Sequence, residues 1–168
     1  MSRAVLSIGS NLGDRLAHLQ SVLDGLGTAV TACSSVYATA PWGGVEQQDF
    51  LNAVLLVDSP DTDCWEWLRR GQQLEEAAHR ERGQRWGPRS LDVDVIDCAG
   101  LISSDSDLVL PHPRAHQRAF VLVPWCEVDA SAALTGQGAA TALLAALPAE
   151  ERDGVRQCAS MSLRLAQA

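Results

Sequence analysis

The chain has 168 residues, 46% hydrophobic and 20% charged, enough for one globular unit with a substantial core; a single unit over 1–168 is expected. A formal net charge of -8 and a pI near 4.8 disfavour a general nucleic-acid binder or an anionic membrane surface, so neither is expected as a partner. There is no lysine: all 13 positive side chains are arginines, which excludes a Walker-type phosphate loop.

The cysteines Cys33, Cys64, Cys98, Cys126 and Cys158 are scattered, with no C-x-x-C pair. They read as reduced core residues of a cytosolic protein rather than as a disulfide or zinc set. No signal segment opens at Met1 to Val5, and no apolar run nears the roughly 20 residues of a membrane span. A cytoplasmic location is expected.

Ala4-Val5-Leu6-Ser7-Ile8 is β-rich and stops at Gly9-Ser10-Asn11, which predicts a strand and a turn. Gly9 is accounted for by the turn, and Asn11, at a strand end, is kept as a candidate ligand contact. Leu12, Leu16, Leu19, Leu23 and Leu26 then recur at helical spacing, with Asn11 or Asp14 as cap and Gly25 and Gly27 at the end. Val30 to Tyr37 predicts a second strand, running into the loop Thr39-Ala40-Pro41-Trp42-Gly43-Gly44. Phe50 to Val57 predicts a third, apolar on both faces except at Asn52. A buried amide without a partner costs about 1 to 3 kcal/mol, so Asn52 bonds either nearby backbone or the amide-like edge of a ligand. Phe50 beside it suits a flat ring.

Pro60-Asp61 opens a second helix whose buried stripe is Cys64, Trp67, Leu68, Gly71, Leu74 and Ala78, with Gln72 and Glu75 on the exposed side. Arg80 and Arg82 stand near its end, where arginine can be a dipole-favoured, solvated face, and with Arg85 and Arg89 they crowd the approach to the next strand. Trp86-Gly87-Pro88-Arg89 cannot continue a helix, because Pro88 lacks the donor and biases its predecessor away from helical angles. Leu91 to Ile96 then alternates as a strand, placing Asp92, Asp94 and Ile96 on one face and Leu91, Val93 and Val95 on the other. The two carboxylates stand on Cα atoms roughly 6.5 Å apart. With arginines crowded beside them, they suit a metal and its phosphate chain; a solvated strand face is the plain alternative.

Leu108 to Leu110 predicts a short edge strand before Pro111-His112-Pro113, where two prolines stiffen the backbone that aims the imidazole. Arg114 and Arg118 follow, and the apolar run from Phe120 ends at Pro124. Leu143, Leu144 and Leu147 suit a small helix ended by Pro148, but the tail beyond Ala130 carries no legible chemistry. The order of elements predicts an α+β fold, a ferredoxin-like βαββαβ core with an antiparallel sheet, both helices on one face and extra C-terminal helices on the other. Loops after Tyr37, before Leu91 and around His112 would then share a cleft.

With these motifs in hand, the chain resembles the 6-hydroxymethyl-7,8-dihydropterin pyrophosphokinases of folate biosynthesis. The resemblance is carried by G-S-N-L-G-D at Gly9 to Asp14, F-L-N-A at Phe50 to Ala53, R-W-G-P-R-S-L-D-V-D at Arg85 to Asp94, P-H-P, and R-A-F at Arg118 to Phe120. It implies transfer of pyrophosphate from ATP to the hydroxymethyl oxygen of the pterin, with release of AMP. By matched position, Asp92 and Asp94 would hold two Mg²⁺ ions, and Arg82 and Arg89 would act on the phosphates. Gln72, Glu75, Trp86, His112 and Arg118 would contact the nucleotide. Asn11, Thr39, Ala40, Trp42, Phe50, Asn52, Trp86 and Phe120 would form the pterin pocket, Phe50 and Phe120 sandwiching the ring. Segments 40–48 and 83–89 would close as lids that exclude water.

Ala40 stands where many relatives have proline, Phe50 where tyrosine is frequent, and Asp107 and Val109 where basic and hydroxyl residues can meet ATP. A monomer is expected. Two other functions compete: a metal-dependent nucleotidyltransferase that leaves AMP on its acceptor, and a non-catalytic pterin- or nucleotide-binding module.

Overall fold

The computed structural model describes residues 2–41, 47–80 and 90–168, with the side chains of 79 and 80 left aside. Strand β1 (Ser2–Ser10) extends beyond its predicted ends and leads into helix α1 (Arg15–Leu26). Asp14, not Asn11, is the cap, its carboxylate accepting the Ala17 amide at 3.1 Å. Gly27 ends the helix at φ +60°, a conformation that costs glycine nothing. The predicted second strand is divided into β2 (Val30–Cys33) and β3 (Tyr37–Thr39), both paired with β4 (Phe50–Ser59). Between the two pieces Ser34 keeps β4 satisfied: its amide donates to the Val54 carbonyl and its hydroxyl accepts the Val54 amide, each at 2.9 Å.

Helix α2 (Cys64–Arg80) begins about a turn after Pro60, because Asp63 caps it by accepting the Glu66 amide at 2.7 Å. It leads to β5 (Asp92–Cys98) at one edge of the sheet. The sheet runs β3, β4, β1, β5, with β2 also on β4 and every neighbour antiparallel. This is an α+β architecture.

Because side chains alternate, the sheet has two chemically distinct faces. On one, Leu6, Ile8, Leu55, Val57, Leu91, Val93 and Val95 form a core with α1 and α2. Trp67 is fully buried there, its indole N–H donating to the Ser2 hydroxyl at 2.8 Å; truncation to alanine would cost about 3–5 kcal/mol. Gly71 lets α2 lie close to β5, since a Cβ on it would come within 3.0 Å of Val93 Cγ1. On the other face, Val54 and Ile96 pack against helix α3 (Ala119–Val128). A bulge opposite Val5 and Leu6 puts Ile96 and Asp97 on that same side.

Before α3, β6 (Ser103–Ser104) and β7 (Val109–Leu110) form a separate hairpin. Contrary to expectation, the apolar run does not end at Pro124; α3 passes through it. Only the bond to the Phe120 carbonyl is forgone, and burial of Val121, Leu122 and Trp125 offsets it. The tail adds β8 (Ala133–Leu134), β9 (Gly138–Ala139), α4 (Ala140–Ala145), α5 (Ala149–Asp153) and β10 (Arg156–Gln157). Leu143, Leu144 and Leu147 pack on the α3 side, although the small helix expected to run to Pro148 ends at Ala145, before Leu147, whereas β10 joins the edge of β3.

The expectation of five reduced cysteines is corrected. Cys64 and Cys98 form a disulfide, while Cys33, Cys126 and Cys158 are free. The first residue of α2 and the last of β5 lie 34 positions apart in sequence, and the fold alone brings their Cα atoms to 5.9 Å. Among the described residues no helix is long and apolar enough to cross a membrane.

Candidate functional site

The pairing register assembles the site. Gly9 in β1 lies opposite Asn52 of β4 on one side and opposite Asp92 of β5 on the other. Residues directly opposite one another project to the same face, so Asn52 and Asp92 share a surface two strand spacings apart, roughly 9.5 Å. Ser7 brings Asp94 to that face in the same way, and Thr39 opposite Phe50 extends it to β3. This is the face covered by α3, whose first residues Ala119 and Phe120 face the strand ends. A cavity of about 910 Å³ remains, lined by Gly9, Thr39, Ala40, Phe50, Asn52, Asp92, Asp94, Arg118 and Phe120 among others.

At one end of the cavity Asn52 is 4% exposed, and its side-chain Nδ2 donates to the Thr39 hydroxyl at 3.0 Å. The partner demanded by the sequence is thus a side chain across the strand pair. Gly9 has more than a turn to serve: a Cβ there would stand 3.3 Å from Asn52 Oδ1. Half-buried Phe50 and Phe120 line the same space.

At the other end are the carboxylates. Val93, between them, donates its edge amide to Glu75 Oε1 at 2.8 Å, so Glu75 ties α2 to the backbone that carries both. Arg118 Nη1 is 3.8 Å from Asp94 Oδ2, a charge contact longer than a hydrogen bond, and the guanidinium also lies 5.4 Å from the centre of the Phe120 ring. Asp92 and Asp94 fit a hard divalent cation: oxygen donors two residues apart on one strand face, both at the cavity. Among the described residues no three His, Cys, Asp or Glu side chains gather around one point, so further ligands would come from phosphate or water, as Mg²⁺ commonly takes them.

His112 sits beside this end, its amide held by the Ile96 carbonyl at 2.8 Å. Nδ1 accepts the Arg114 amide at 3.2 Å, which leaves the neutral ring's proton on Nε2. Burial pushes its pKa down to about 4, and the charges of Arg118 and Arg114 add to the effect. At neutral pH the ring is therefore an uncharged donor.

Of the residues singled out from sequence, Thr39, Ala40, Phe50, Asn52, Asp92, Asp94, Arg118 and Phe120 meet in the cavity. Asn11, Gln72, Glu75 and His112 are not part of its lining. Asn11 is 3% exposed and donates to Gln47 Oε1 at 3.1 Å, while its own Oδ1 has no hydrogen-bond partner among the described residues. Gln72 is exposed on α2. Asp107 and Val109 lie at the β6–β7 hairpin, outside the cavity lining. Trp42, Arg82, Trp86 and Arg89 fall outside the described residues. Sequence reasoning noted Arg114 without giving it a role and passed over Gln117, although both lie between the P-H-P and R-A-F motifs. It also missed Glu150, Glu151, Gly154 and Val155, for which no local signal exists.

Paired carboxylates and a guanidinium beside an aromatic and amide pocket make a cleft of the kind used by phosphoryl-transfer enzymes. A model of the family described as 7,8-dihydro-6-hydroxymethylpterin-pyrophosphokinase (HPPK) matches residues 5–130, and the chain belongs to that family. It is 55% identical to the 2-amino-4-hydroxy-6-hydroxymethyldihydropteridine pyrophosphokinase of Mycobacterium tuberculosis, covering 93% of this chain and 89% of that protein. It is 55% identical also to the protein of the same description from Mycobacterium leprae, covering 93% and 88%. Among solved structures it is similar in fold to a Plasmodium falciparum wild-type HPPK-DHPS with SDX-DHP, at a TM-score of 0.64 and 13% identity. That match covers 86% of this chain and 43% of the Plasmodium chain, so this chain spans less than half of that protein's length.

Proposed function

We propose that the cavity is where this chain performs the reaction of its family, transferring pyrophosphate from ATP to the hydroxymethyl group of 6-hydroxymethyl-7,8-dihydropterin in folate biosynthesis. The observation that carries the reading is the register Asn52, Gly9, Asp92 across three adjacent strands. It sets an amide that can pair with a heterocycle edge and a carboxylate that can serve a phosphate-bound metal on one surface, about 9.5 Å apart. A bicyclic ring lying over Gly9 spans that gap and brings its hydroxymethyl oxygen toward the phosphates.

In this reading Phe50 and Phe120 sandwich the pterin, Asn52 pairs with its edge and Thr39 orients Asn52. Trp42, Ala40 and Asn11 complete that end. Asp92 and Asp94 would hold the two Mg²⁺ ions, whose charge, when bound, neutralises the ATP phosphates and helps align them. Arg118 balances phosphate charge from the opposite wall, with Arg82 and Arg89 acting as cations from the segment before β5. The Nε2–H of neutral His112 donates to the nucleotide; Gln72, Glu75 and Trp86 complete its surroundings. Apart from the charge on the metals, catalysis is positioning for in-line attack on the β-phosphorus.

The order β1, α1, β2/β3, β4, α2, β5 with strand sequence β3–β4–β1–β5 supports the finer description as a ferredoxin-like core. Pairing of β10 with β3 supports treating 1–168 as one pyrophosphokinase unit. A cytoplasmic monomer is part of the same proposal. The test is a coupled AMP-release assay with ATP, Mg²⁺ and the dihydropterin. Pterin-dependent AMP and a diphosphorylated pterin are expected. Released pyrophosphate would instead point to nucleotidyl transfer, and binding without turnover to a non-catalytic module.

A further inference from the structure

The C-terminal tail reaches the site from the side opposite the metal strand. Four of its residues, Glu150, Glu151, Gly154 and Val155, line the cavity together with Phe50 and Asn52. The tail is held there by backbone pairing rather than by packing alone: Arg156 lies opposite Ala38 and Gln157 opposite Tyr37 in the β10–β3 ladder, and the Cys158 amide donates to the Val36 carbonyl at 2.8 Å. Arg156 then reaches across β3, its Nη2 lying 2.7 Å from Asp49 Oδ2. Asp49 directly precedes Phe50, and its carbonyl accepts from Arg15 Nη1 at 2.7 Å. Two arginines from distant parts of the chain, one on α1 and one on the tail, thus fix the residue immediately before Phe50.

We propose that Arg156 is a positioning residue for the pterin end of the site, and that the α5–β10 tail is a structural wall of that end through the Arg156–Asp49 ion pair. The inference rests on the assignment of the Phe50/Asn52 end to the pterin. Its physical basis is local. Reversing the charge at 156 removes the countercharge of Asp49 and sets a like charge on the far side of β3, which releases the residue before Phe50 and loosens the wall that carries Val155. The carboxylates Asp92 and Asp94 lie on the other side of β4 and β1 and keep their geometry, so ATP binding is spared.

The experiment is steady-state kinetics of the full chain for Arg156→Asp, Asp49→Arg and the double reversal Arg156→Asp/Asp49→Arg, with folding checked by thermal melting. Each single reversal is expected to raise KM for the dihydropterin by about five- to tenfold, the size of an exposed ion pair lost plus a repulsion gained, while KM for ATP stays within about twofold. The double reversal should recover most of the pterin KM. A unchanged pterin KM in Arg156→Asp, an equal rise for both substrates, or no recovery in the double reversal would each overturn the positioning role. Should a single reversal fold poorly, Arg156→Gln supplies the same comparison with a smaller rise, and a pterin KM equal to that of the unaltered chain would again reject it. Failure of the functional assignment looks different: the unaltered chain itself would then release no pterin-dependent AMP.

Discussion

Glu75 and Val93 are joined at 2.8 Å, a helix carboxylate accepting the amide of the residue between the two site aspartates. Among the described residues β5 is an edge strand, so that amide faces no neighbouring strand. Gly71, one turn earlier on α2, removes the side chain that would hold the helix off Val93. Together they hold α2 close against the strand from which Asp92 and Asp94 project. Glu75→Ala is expected to lower kcat about tenfold and raise the Mg²⁺ concentration needed for half-maximal rate, as loss of an outer support of metal ligands does. Glu75→Gln, which retains an acceptor oxygen, should keep most of the activity. Equal rates and equal Mg²⁺ dependence in Glu75→Ala and the unaltered chain would contradict this.

The aspartates themselves give the sharpest test of the metal reading. Asp92→Asn and Asp94→Asn keep the shape and remove the charge that a divalent cation needs, so turnover should fall by at least about a thousandfold. Stability should change little, because relief of the repulsion between two like charges two residues apart on one strand face opposes the loss of each carboxylate's own partners. Asp94→Asn removes in addition the countercharge 3.8 Å from Arg118. Near-normal rates in either variant would count against the assignment.

What the sequence made legible was periodic or local. Alternation from Leu91 to Ile96 placed Asp92 and Asp94 on one face, and Leu91, Val93 and Val95 are found in the opposite core. The apolar third strand made Asn52 conspicuous, but its partner Thr39 lies 13 residues away and is set by strand register, which no local pattern encodes. The same limit hid the Cys64–Cys98 bridge and the arrival of Val155 in the cavity that Phe50 lines, both produced by the path of the chain. Pro124 misled because breaker rules describe an isolated helix, whereas α3 is held by burial against Val54 and Ile96.

At the pterin end, the Thr39–Asn52 bond and the missing Cβ of Gly9 both control one amide. Thr39→Val keeps the volume and leaves Nδ2 of a buried asparagine without its acceptor, so KM for the dihydropterin should rise about tenfold with KM for ATP little changed. Gly9→Ala should act in the same direction, since its methyl would meet Asn52 Oδ1 at 3.3 Å and turn the amide. Parallel losses for both substrates would place the defect elsewhere. Isothermal titration with the pterin alone separates binding from turnover.

The disulfide predicts a thiol count. Denatured without reductant, the chain should react at three cysteines, Cys33, Cys126 and Cys158. Closing a loop with a sequence separation of 34 is worth about 3–4 kcal/mol in the chain-entropy account. Reduction should therefore lower the melting temperature by several degrees. Cys98 ends the strand that Asp92 begins, so kcat at 25 °C should change little. Five reactive thiols before reduction would refute the bridge.

His112 makes the pH dependence directional. Its pKa, about 4 in the folded chain because of burial and then of Arg118 and Arg114, lies below the ordinary 6.5. Between those values the unfolded chain takes up a proton that the folded chain refuses, so this contribution to stability is full above about pH 6.5 and is lost as the pH falls toward 4. His112→Gln should therefore lose less stability than the unaltered chain between pH 7.5 and pH 5, read as the difference in urea midpoints, other titrating groups being common to both. Proton NMR of the imidazole should place its titration well below 6.5 in the free chain. A bound ATP analogue with Mg²⁺ should move it upward, because phosphate oxygens near Nε2–H favour the charged ring and offset Arg118 and Arg114. No movement on saturation with nucleotide would remove His112 from the nucleotide site.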